Sequence, residues 1–360
     1  MAVYGILVAI TLVLGGILPQ RGKHRWVYVV LMALILTAVS ALRDNHMAGD
    51  LKKYHWEFLN AADAPWLDPQ IWQNGRNAGF YLLMKLVNHL SHGEFQWLLI
   101  FIAAVSQFAL AGVIGRYSPK PWMSYLVYLC MGFFSGGLAT IKQTLAMALV
   151  LLAFRGIAEE KPKRFAGMTL LAGLIHLPAL VVLAIYPLTR LRLTGRVLLG
   201  YLCAGAALYV LKVPLVTLVG QLYYGAQWQP VSTRWLGNRF IMIGFFAVLP
   251  LVFGGFRRGL FEKLFPFMAV AALAQMFSGF DHVFSRLADY CLQFSVLYLP
   301  MALSCGEGES LGLRPLLHLN KRSMAVASAG ISVFLIWFYH VFYLAAAGTE
   351  PFRFLWERAG

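Results

Sequence analysis

Long apolar segments separated by short polar loops constrain this chain more than any other feature of its sequence. Hydrophobic residues make up 60% of its 360 residues and charged residues only 12%, whereas soluble domains are roughly 25% charged. Because a helix needs about 20 apolar residues to cross a bilayer, the chain has room for about ten to twelve crossings. The sequence therefore predicts an all-α, polytopic integral membrane protein, with residues 1–360 forming one membrane domain.

Two apolar segments, 79–91 and 165–188, are ambiguous as spans. The first can lie in the membrane interface as an amphipathic helix. The second is long enough for one span or for two short half-helices, and Pro178 disfavours helix at Leu177. A broken or re-entrant helix near His176 is therefore predicted. The other candidate spans are 4–18, 26–42, 95–115, 122–135, 137–155, 197–219, 238–255, 263–280, 287–304 and 323–345.

The distribution of basic residues predicts the orientation. With 79–91 in the outer interface and 165–188 entering and leaving on one side, the loops assigned to the cytoplasm hold 18 Lys and Arg against five acidic residues. This bias follows the positive-inside rule. It places the polar segments 43–54, 223–239 and 281–286, together with His176, on the outer side, where they would line one outward-facing cavity.

The net charge of +15 does not indicate a nucleic-acid partner, because Lys and Arg fall mostly in short loops between apolar segments. The sequence has no Walker A motif, no Gly-rich dinucleotide turn, no HExxH and no GxSxG. Their absence disfavours a nucleotide donor and a zinc site. The four cysteines are scattered without metal-ligand spacing, so neither a metal nor another cofactor is predicted.

The longest polar segment begins directly after an apolar span. Arg43 and Asp44 open it, and Asp50 and Tyr54 are spaced i,i+4, which places both on one face of a helix. Arginine is always charged and binds phosphate bidentately, and a carboxylate beside it could act as a base or hold it in place. The alternative is that Arg43 anchors the loop to lipid headgroups and pairs with Asp44 and Asp50.

Two further polar positions interrupt apolar segments. Lys142, with Gln143 beside it, lies near the start of the segment 138–153. It could extend to the interface or point into an outward cavity as a cation for an anionic ligand, which the neighbouring Gln143 favours. His176 is a candidate proton acceptor for a hydroxyl, or a hydrogen-bond donor to a phosphate, since histidine titrates near neutrality. The alternative for His176 is a packed histidine with its hydrogen bonds satisfied.

Arginines also lie in two later outward segments. Arg286 and Tyr290 are spaced i,i+4 at the start of the span 287–304, and a second arginine suits a diphosphate. Arg239 ends a basic and aromatic strip. The alternative for both is an interfacial anchor of arginine and aromatic rings. The strip comprises Tyr223, Tyr224, Trp228, Arg234, Trp235 and Arg239.

Several different short motifs occur along the chain in a specific order and spacing. They are Leu42-Arg43 with Gly49-Asp50 and Tyr54, Asn77-Ala78-Gly79-Phe80 with Leu82-Leu83, Ile141-Lys142-Gln143 with Leu145-Ala146, Phe165 with Ala172 and His176, Ser285-Arg286 with Tyr290, and a C-terminal aromatic stretch. In these motifs the chain resembles the EpsG family of Wzy-like polysaccharide polymerases over most of its length. The family usually has Arg where Lys142 stands, and lysine keeps the charge but loses the bidentate fork.

The resemblance implies a GT-C-like, metal-independent glycosyltransferase that joins undecaprenyl-diphosphate-linked oligosaccharides at the outer face of the bacterial cytoplasmic membrane. Arg43, Arg286 and Lys142 would neutralise the donor diphosphate, and Asp50 or His176 would accept the proton of the acceptor hydroxyl. The residues expected to contact sugar or phosphate are Asp44, Tyr54, Gln143, Arg239 and Tyr290.

Membrane lipid would surround such an enzyme, and a chain-length regulator and a flippase are possible protein partners. Two other functions fit the same residues. One is a transporter or flippase for a lipid-linked glycan, which a discontinuous helix would favour. The other is a glycan ligase or acyltransferase, which would leave chain length unchanged.

Overall fold

Helices form nearly all of the regular structure. The computed structural model describes residues 2–45, 49–62, 65–66, 77–230, 236, 239–253, 259–304, 321–341 and 352–357. Within these ranges there is no strand, and one isolated antiparallel bridge joins Arg43 to Phe354. The helices are Ala2–Ile17, Arg25–Ala41, Gly49–Asn60, Ala78–Leu90, Phe95–Tyr117, Pro121–Cys130, Phe133–Ala139, Ile141–Ala158, Pro162–Ile175, Leu177–Ala184 (3-10), Ile185–Leu188, Gly195–Tyr224, Phe240–Phe253, Leu260–Gln275, His282–Leu292, Ser295–Ala302, Lys321–Tyr339 and Leu355–Glu357 (3-10).

Several of these helices are long and apolar enough to cross a membrane. Among the described residues four qualify on length and composition: Phe95–Tyr117, Ile141–Ala158, Gly195–Leu222 and Arg322–Tyr339. The pair Pro121–Cys130 and Phe133–Ala139, bent by 51°, makes a fifth if it is one span. The prediction of an all-α, polytopic membrane protein is therefore confirmed. Ten to twelve crossings remain a prediction, as does the side on which each loop lies.

The chain divides into two compact units. The first comprises residues 1–180 and 327–360, and the second comprises residues 181–326. The prediction of one integral membrane domain stays a prediction.

The core of the first unit is built around the helix Phe95–Tyr117. It packs against Arg25–Ala41 on one side and Ile141–Ala158 on the other, and Ile141–Ala158 packs in turn against Pro162–Ile175. Buried tyrosine hydroxyls donate to backbone carbonyls, as from Tyr125 to Val29 at 3.0 Å. Such pairing is needed where no water reaches, because an unpaired polar group in hydrocarbon costs several kcal/mol.

Close packing of Ile141–Ala158 against Pro162–Ile175 depends on Gly156. A Cβ at Gly156 would lie 2.6 Å from the backbone nitrogen of Phe165, a contact that no side-chain rotation relieves. We expect Gly156→Val to lower the free energy of unfolding by about 2 kcal/mol, as overpacking does elsewhere. Thermal unfolding in detergent measures this loss.

Gly167 on the facing helix supplies the matched control. A Cβ there meets nothing within 4 Å, so Gly167→Val should unfold at or above the temperature of the unmodified protein. Equal losses for the two variants would show that the close approach at Gly156 does not limit packing.

The segment that begins at Phe165 breaks at the predicted position. The helix Pro162–Ile175 ends before His176, whose backbone is extended at φ −149° and ψ 105°, and a 3-10 helix follows from Leu177. The break predicted from Pro178 is confirmed. Whether the chain re-enters the membrane there stays a prediction.

The helix Ala78–Leu90 buries polar side chains together with apolar ones. Lys85 and Asn88 are 4% and 6% exposed, whereas Leu86 and Leu90 are 46% and 70% exposed. The Lys85 ammonium donates to the carbonyls of Ala61 and Ala62, and the Asn88 amide donates to the carbonyl of Phe58. These bonds satisfy carbonyls that the C-terminal end of Gly49–Asn60 leaves unpaired.

The second unit centres on the helix Leu260–Gln275. It packs against Phe240–Phe253 and His282–Leu292. The ring of Phe261 stacks on Tyr298 with centroids 4.7 Å apart, and the Tyr298 hydroxyl donates to the carbonyl of Ala247 at 2.6 Å. This core sets the position of the helix that carries Arg286 and Tyr290.

Candidate active site

Arg43 is the largest fully buried side chain of the described residues, with 1% of its surface exposed. Its guanidinium Nη1 donates to the carbonyl oxygen of Ser40 and, at 3.1 Å, to the Ser40 hydroxyl. Its Nε has no hydrogen-bond partner. Among the described residues no carboxylate lies within 4 Å of this guanidinium. Arg43 is thus a buried cation without a protein counter-ion in that part of the chain.

Burial lowers the pKa of the Arg43 guanidinium to about 9, and the nearby Tyr4 opposes this shift. The group therefore stays protonated at neutral pH. Removing an ion from water costs several kcal/mol unless another charge compensates it. An anionic ligand at Arg43 would provide that compensation.

The C-terminal segment 352–357 covers the backbone beside Arg43. The amide of Asp44 donates to the carbonyl of Arg353, and the amide of Leu355 donates to the carbonyl of Leu42, both at 2.9 Å. Phe352 packs edge-on against Tyr4 with centroids 6.1 Å apart. These contacts fix the position of Arg43 from a segment some 310 residues away in sequence.

Phe352→Ala is expected to loosen this covering segment. Phe352 is 8% exposed, and deleting a core phenylalanine costs about 3 kcal/mol or somewhat more. We expect a lower unfolding temperature and faster proteolysis of the C-terminal segment. Trp356 stacks on Phe354 but is 66% exposed, so Trp356→Ala should have a much smaller effect. Equal effects of the two variants would contradict the anchoring role of Phe352.

The helix Gly49–Asn60 joins Arg43 to the other candidate residues of the first unit. The side-chain amide of Gln96 donates to the carbonyls of Ala41 and Arg43. Next to Gln96, the ring of Phe95 stacks on His55 with centroids 4.9 Å apart. Tyr54 immediately precedes His55 in the sequence, and the Lys142 ammonium lies 5.7 Å from the centroid of the Tyr54 ring. Tyr54 thereby brings Lys142 to the helix that carries Asp50.

Asp50 lies in the first turn of this helix and is exposed. Tyr54 one turn later is half-buried, and its ring also packs edge-on against Phe80 with centroids 5.7 Å apart. Gln143 is 6% exposed and its amide lies 3.7 Å from the sulfur of Met147. Asp44 is 5% exposed beside Arg43.

The position of His176 relative to these helices follows from the packing of two of them. The helix Ala78–Leu90 packs against Pro162–Ile175, and a Cβ at Gly79 would lie 2.9 Å from the carbonyl oxygen of Leu174, two residues before His176. Gly79 is followed by Phe80, which contacts Tyr54. The break at His176, Lys142 and the helix of Asp50 are therefore linked through Ala78–Leu90.

The second unit holds Arg239, Arg286 and Tyr290. Arg239 forms an ion pair with Asp289 at 3.2 Å, with about a fifth of each side chain exposed. Arg286 is exposed one turn before Asp289 on the same helix, and Tyr290 is fully buried. Two arginines thus lie near one carboxylate, which leaves an excess positive charge.

Sequence reasoning missed three of these residues. Asp289 was not among the predicted site residues, although its i,i+3 spacing from Arg286 signals a shared helix face. Lys85 was not predicted either, because the amphipathic pattern of 79–91 does not show the carbonyls to which its ammonium donates. His55 carried no signal beyond its place one residue after Tyr54. Arg234 and Trp235 of the basic and aromatic strip, and the side chains of Tyr223 and Tyr224, lie outside the described residues.

The comparison with known families decides how this site is interpreted. The sequence matches the model of the EpsG family over residues 26–347. The chain belongs to the EpsG family. This is a family of Wzy-like polysaccharide polymerases, and the matched region contains every candidate site residue named above. No curated protein and no solved structure matches the chain.

Membership of the EpsG family indicates a polysaccharide polymerase in the membrane with a lipid-linked oligosaccharide as substrate. Of the candidate cations, Arg43 and Lys142 lie in the first unit, and Arg239 and Arg286 lie in the second. Within the described residues no three His, Cys, Asp or Glu side chains are close enough to hold a metal ion.

Proposed function

We propose that this EpsG-family protein polymerises undecaprenyl-diphosphate-linked oligosaccharide repeats at the outer face of the bacterial cytoplasmic membrane, by metal-independent glycosyl transfer. The observation that carries the proposal is the buried Arg43 guanidinium, which has an unpaired Nε and no carboxylate near it in the described parts of the chain. A diphosphate supplies both the missing charge and the missing acceptor.

The reaction joins the growing chain to one further repeat. A hydroxyl of the acceptor sugar attacks the anomeric carbon of the donor, and the bond from that carbon to the diphosphate oxygen breaks. The electron pair of this bond leaves with the lipid diphosphate. Arg43 and Lys142 stabilise the charge that builds on the leaving group, which lowers the barrier because the charge is greatest in the transition state. Arg286 of the second unit stays a predicted phosphate contact.

The proton of the attacking hydroxyl passes to Asp50 in this proposal. Asp50 is exposed at the start of its helix, where an incoming sugar can reach it, and a carboxylate is a suitable general base. Tyr54, one turn away, binds sugar or phosphate oxygens, as do Asp44, Gln143, Arg239 and Tyr290. His176 is the second candidate base or a phosphate contact. Direct attack by the hydroxyl inverts the anomeric centre.

Asp50→Asn is expected to lower polymer formation by about 100-fold or more, since a positioned base contributes 10²- to 10⁴-fold. Purified protein supplied with its lipid-linked repeat is assayed by the ladder of products on a gel. Glu57 on the same helix pairs with Lys53 at 3.8 Å, and Glu57→Gln is the matched control with near-normal activity. Unchanged ladders for Asp50→Asn would assign the base elsewhere, with His176→Gln as the next variant.

A transporter of lipid-linked glycans is the second candidate function, favoured by the broken helix at His176. Proteoliposomes separate the two. The polymerase yields products longer than one repeat from substrate already on the accessible face. A transporter moves single repeats across the bilayer without lengthening them.

A further inference from the structure

In the first unit, the Glu159 carboxylate lies within 4 Å of four basic side chains, which come from the ends of three helices. The Glu159 carboxylate accepts from the Arg155 Nε, from the Lys161 ammonium at 3.0 Å and from Arg164 at 3.4 Å. Arg116 lies 3.8 Å from the same carboxylate. Arg116 and Arg155 lie in the last turns of Phe95–Tyr117 and Ile141–Ala158, two helices long enough to cross a membrane.

This basic cluster has a fixed excess of positive charge. The hydrogen bonds from Arg155 and Lys161 hold the pKa of Glu159 at about 2, so its carboxylate is ionised at every physiological pH. The neighbouring Lys163 and Glu160 add one charge of each sign. The four cations are between 41% and 62% exposed, whereas Glu159 is 21% exposed. The carboxylate is thus more buried than the four cations around it, and the five side chains carry a net charge of +3.

An apolar stripe continues directly from this cluster along the helix Pro162–Ile175. The exposed positions of that helix follow one face, beginning with Lys163 and Arg164 and continuing through Gly167 to three leucines. Leu170, Leu171 and Leu174 are 53%, 43% and 53% exposed. The opposite face is buried. From Arg164 to Leu174 the helix rises about 15 Å, which is half of a bilayer core of about 30 Å.

We propose that this surface binds an anionic phospholipid, with its phosphate on the basic cluster of Arg116, Arg155, Lys161 and Arg164 and an acyl chain along the leucine stripe. Arg164 and the leucines share one exposed helix face about one leaflet deep, with the other three cations gathered around Glu159 at its start, and a phospholipid has the same order of groups. A soluble phosphate would use the cations but not the leucines. Glu159 positions the four cations in this proposal, as a single salt-bridge network. The site does not rest on the proposed polymerase activity.

The proposal is tested with the full-length protein in nanodiscs of phosphatidylcholine containing increasing phosphatidylglycerol. The apparent dissociation constant of phosphatidylglycerol is measured by native mass spectrometry of the lipids retained. We expect Arg116→Gln with Arg164→Gln to weaken binding roughly 10- to 30-fold, at about tenfold or less per basic residue. Arg190→Gln with Arg192→Gln removes the same charge elsewhere and is the matched control. Equal losses in both pairs would overturn the proposal.

Glu159→Gln separates a positioned site from general attraction. This variant raises the net charge, so a surface that attracts lipid by charge alone would bind phosphatidylglycerol more tightly. We expect weaker binding by several-fold, because the four cations lose the group that holds them together. Tighter binding would overturn the proposal.

Substitutions in the leucine stripe test whether the phosphate bound by the basic cluster belongs to a lipid or is soluble phosphate. Leu171→Ala with Leu174→Ala should weaken phosphatidylglycerol binding several-fold, and inorganic phosphate at millimolar concentration should not displace the lipid. Displacement by inorganic phosphate, with no effect of the leucine substitutions, would show a soluble-phosphate site and would overturn the lipid assignment. A monodisperse elution profile confirms that each variant is folded.

Discussion

Arg43→Met should abolish polymer formation without destabilising the protein. Methionine fills much of the volume of arginine but has no charge, and replacing an uncompensated buried ion by an apolar group is often neutral or stabilising. Arg43 is 1% exposed and its Nε is unpaired, so the substitution removes a cost to folding. Loss of one donor to a developing negative charge lowers kcat by about 10²- to 10³-fold. We therefore expect at least 100-fold less polymer at an equal or higher unfolding temperature.

Two further variants sharpen this result. Arg43→Lys keeps the charge but loses the fork that binds two phosphate oxygens, so activity should fall by about tenfold and not vanish. Arg353 is exposed in the covering segment next to Arg43, and Arg353→Met is the matched control for loss of a cation. Normal polymer from Arg43→Met would remove Arg43 from the reaction. Low polymer together with a much lower unfolding temperature would assign it a structural role.

Local chemistry made parts of the fold predictable from the sequence. Pro178 removes a backbone donor and restricts the residue before it, and the helix accordingly ends at Ile175. The apolar segment 122–135 was expected to be one span, but Gly132 adopts φ +78° and separates two short helices. Nothing in the hydrophobic pattern distinguishes a glycine that turns the chain from one that allows close helix packing.

Pairings between distant residues were the part of the site that the sequence did not predict. Arg43 and Asp50 were expected from their place after a span, but the strand-like contact of Arg43 with Phe354 requires tertiary structure. The hydrogen bonds of Lys85 were not predicted either, because the amphipathic pattern of 79–91 does not show which carbonyls lie beside the helix. In the apolar interior of a membrane, buried polar side chains turn toward carbonyls that need donors.

Asp289→Asn is expected to have the second large effect. The Asp289 carboxylate is 3.2 Å from Arg239, and about a fifth of each side chain is exposed. Removing one partner of a fully buried pair costs about 3–5 kcal/mol, and the partial exposure reduces this to about 2 kcal/mol. Arg239 then loses the group that orients it, so we expect polymer formation to fall at least tenfold and the unfolding temperature to fall as well. Asp281 is exposed just before the same helix, and Asp281→Asn is the matched control.

The exchanged pair, Arg239→Asp with Asp289→Arg, separates stability from catalysis. It restores an ion pair between the same two positions, so the unfolding temperature should return most of the way to that of the unmodified protein. It also moves the cation by the length of the pair, away from the position at which Arg239 would meet the substrate. Because catalysis depends on placing charge to within a fraction of an ångström, polymer formation should stay low. Recovery of both would mean that Arg239 and Asp289 only hold the helices of the second unit together.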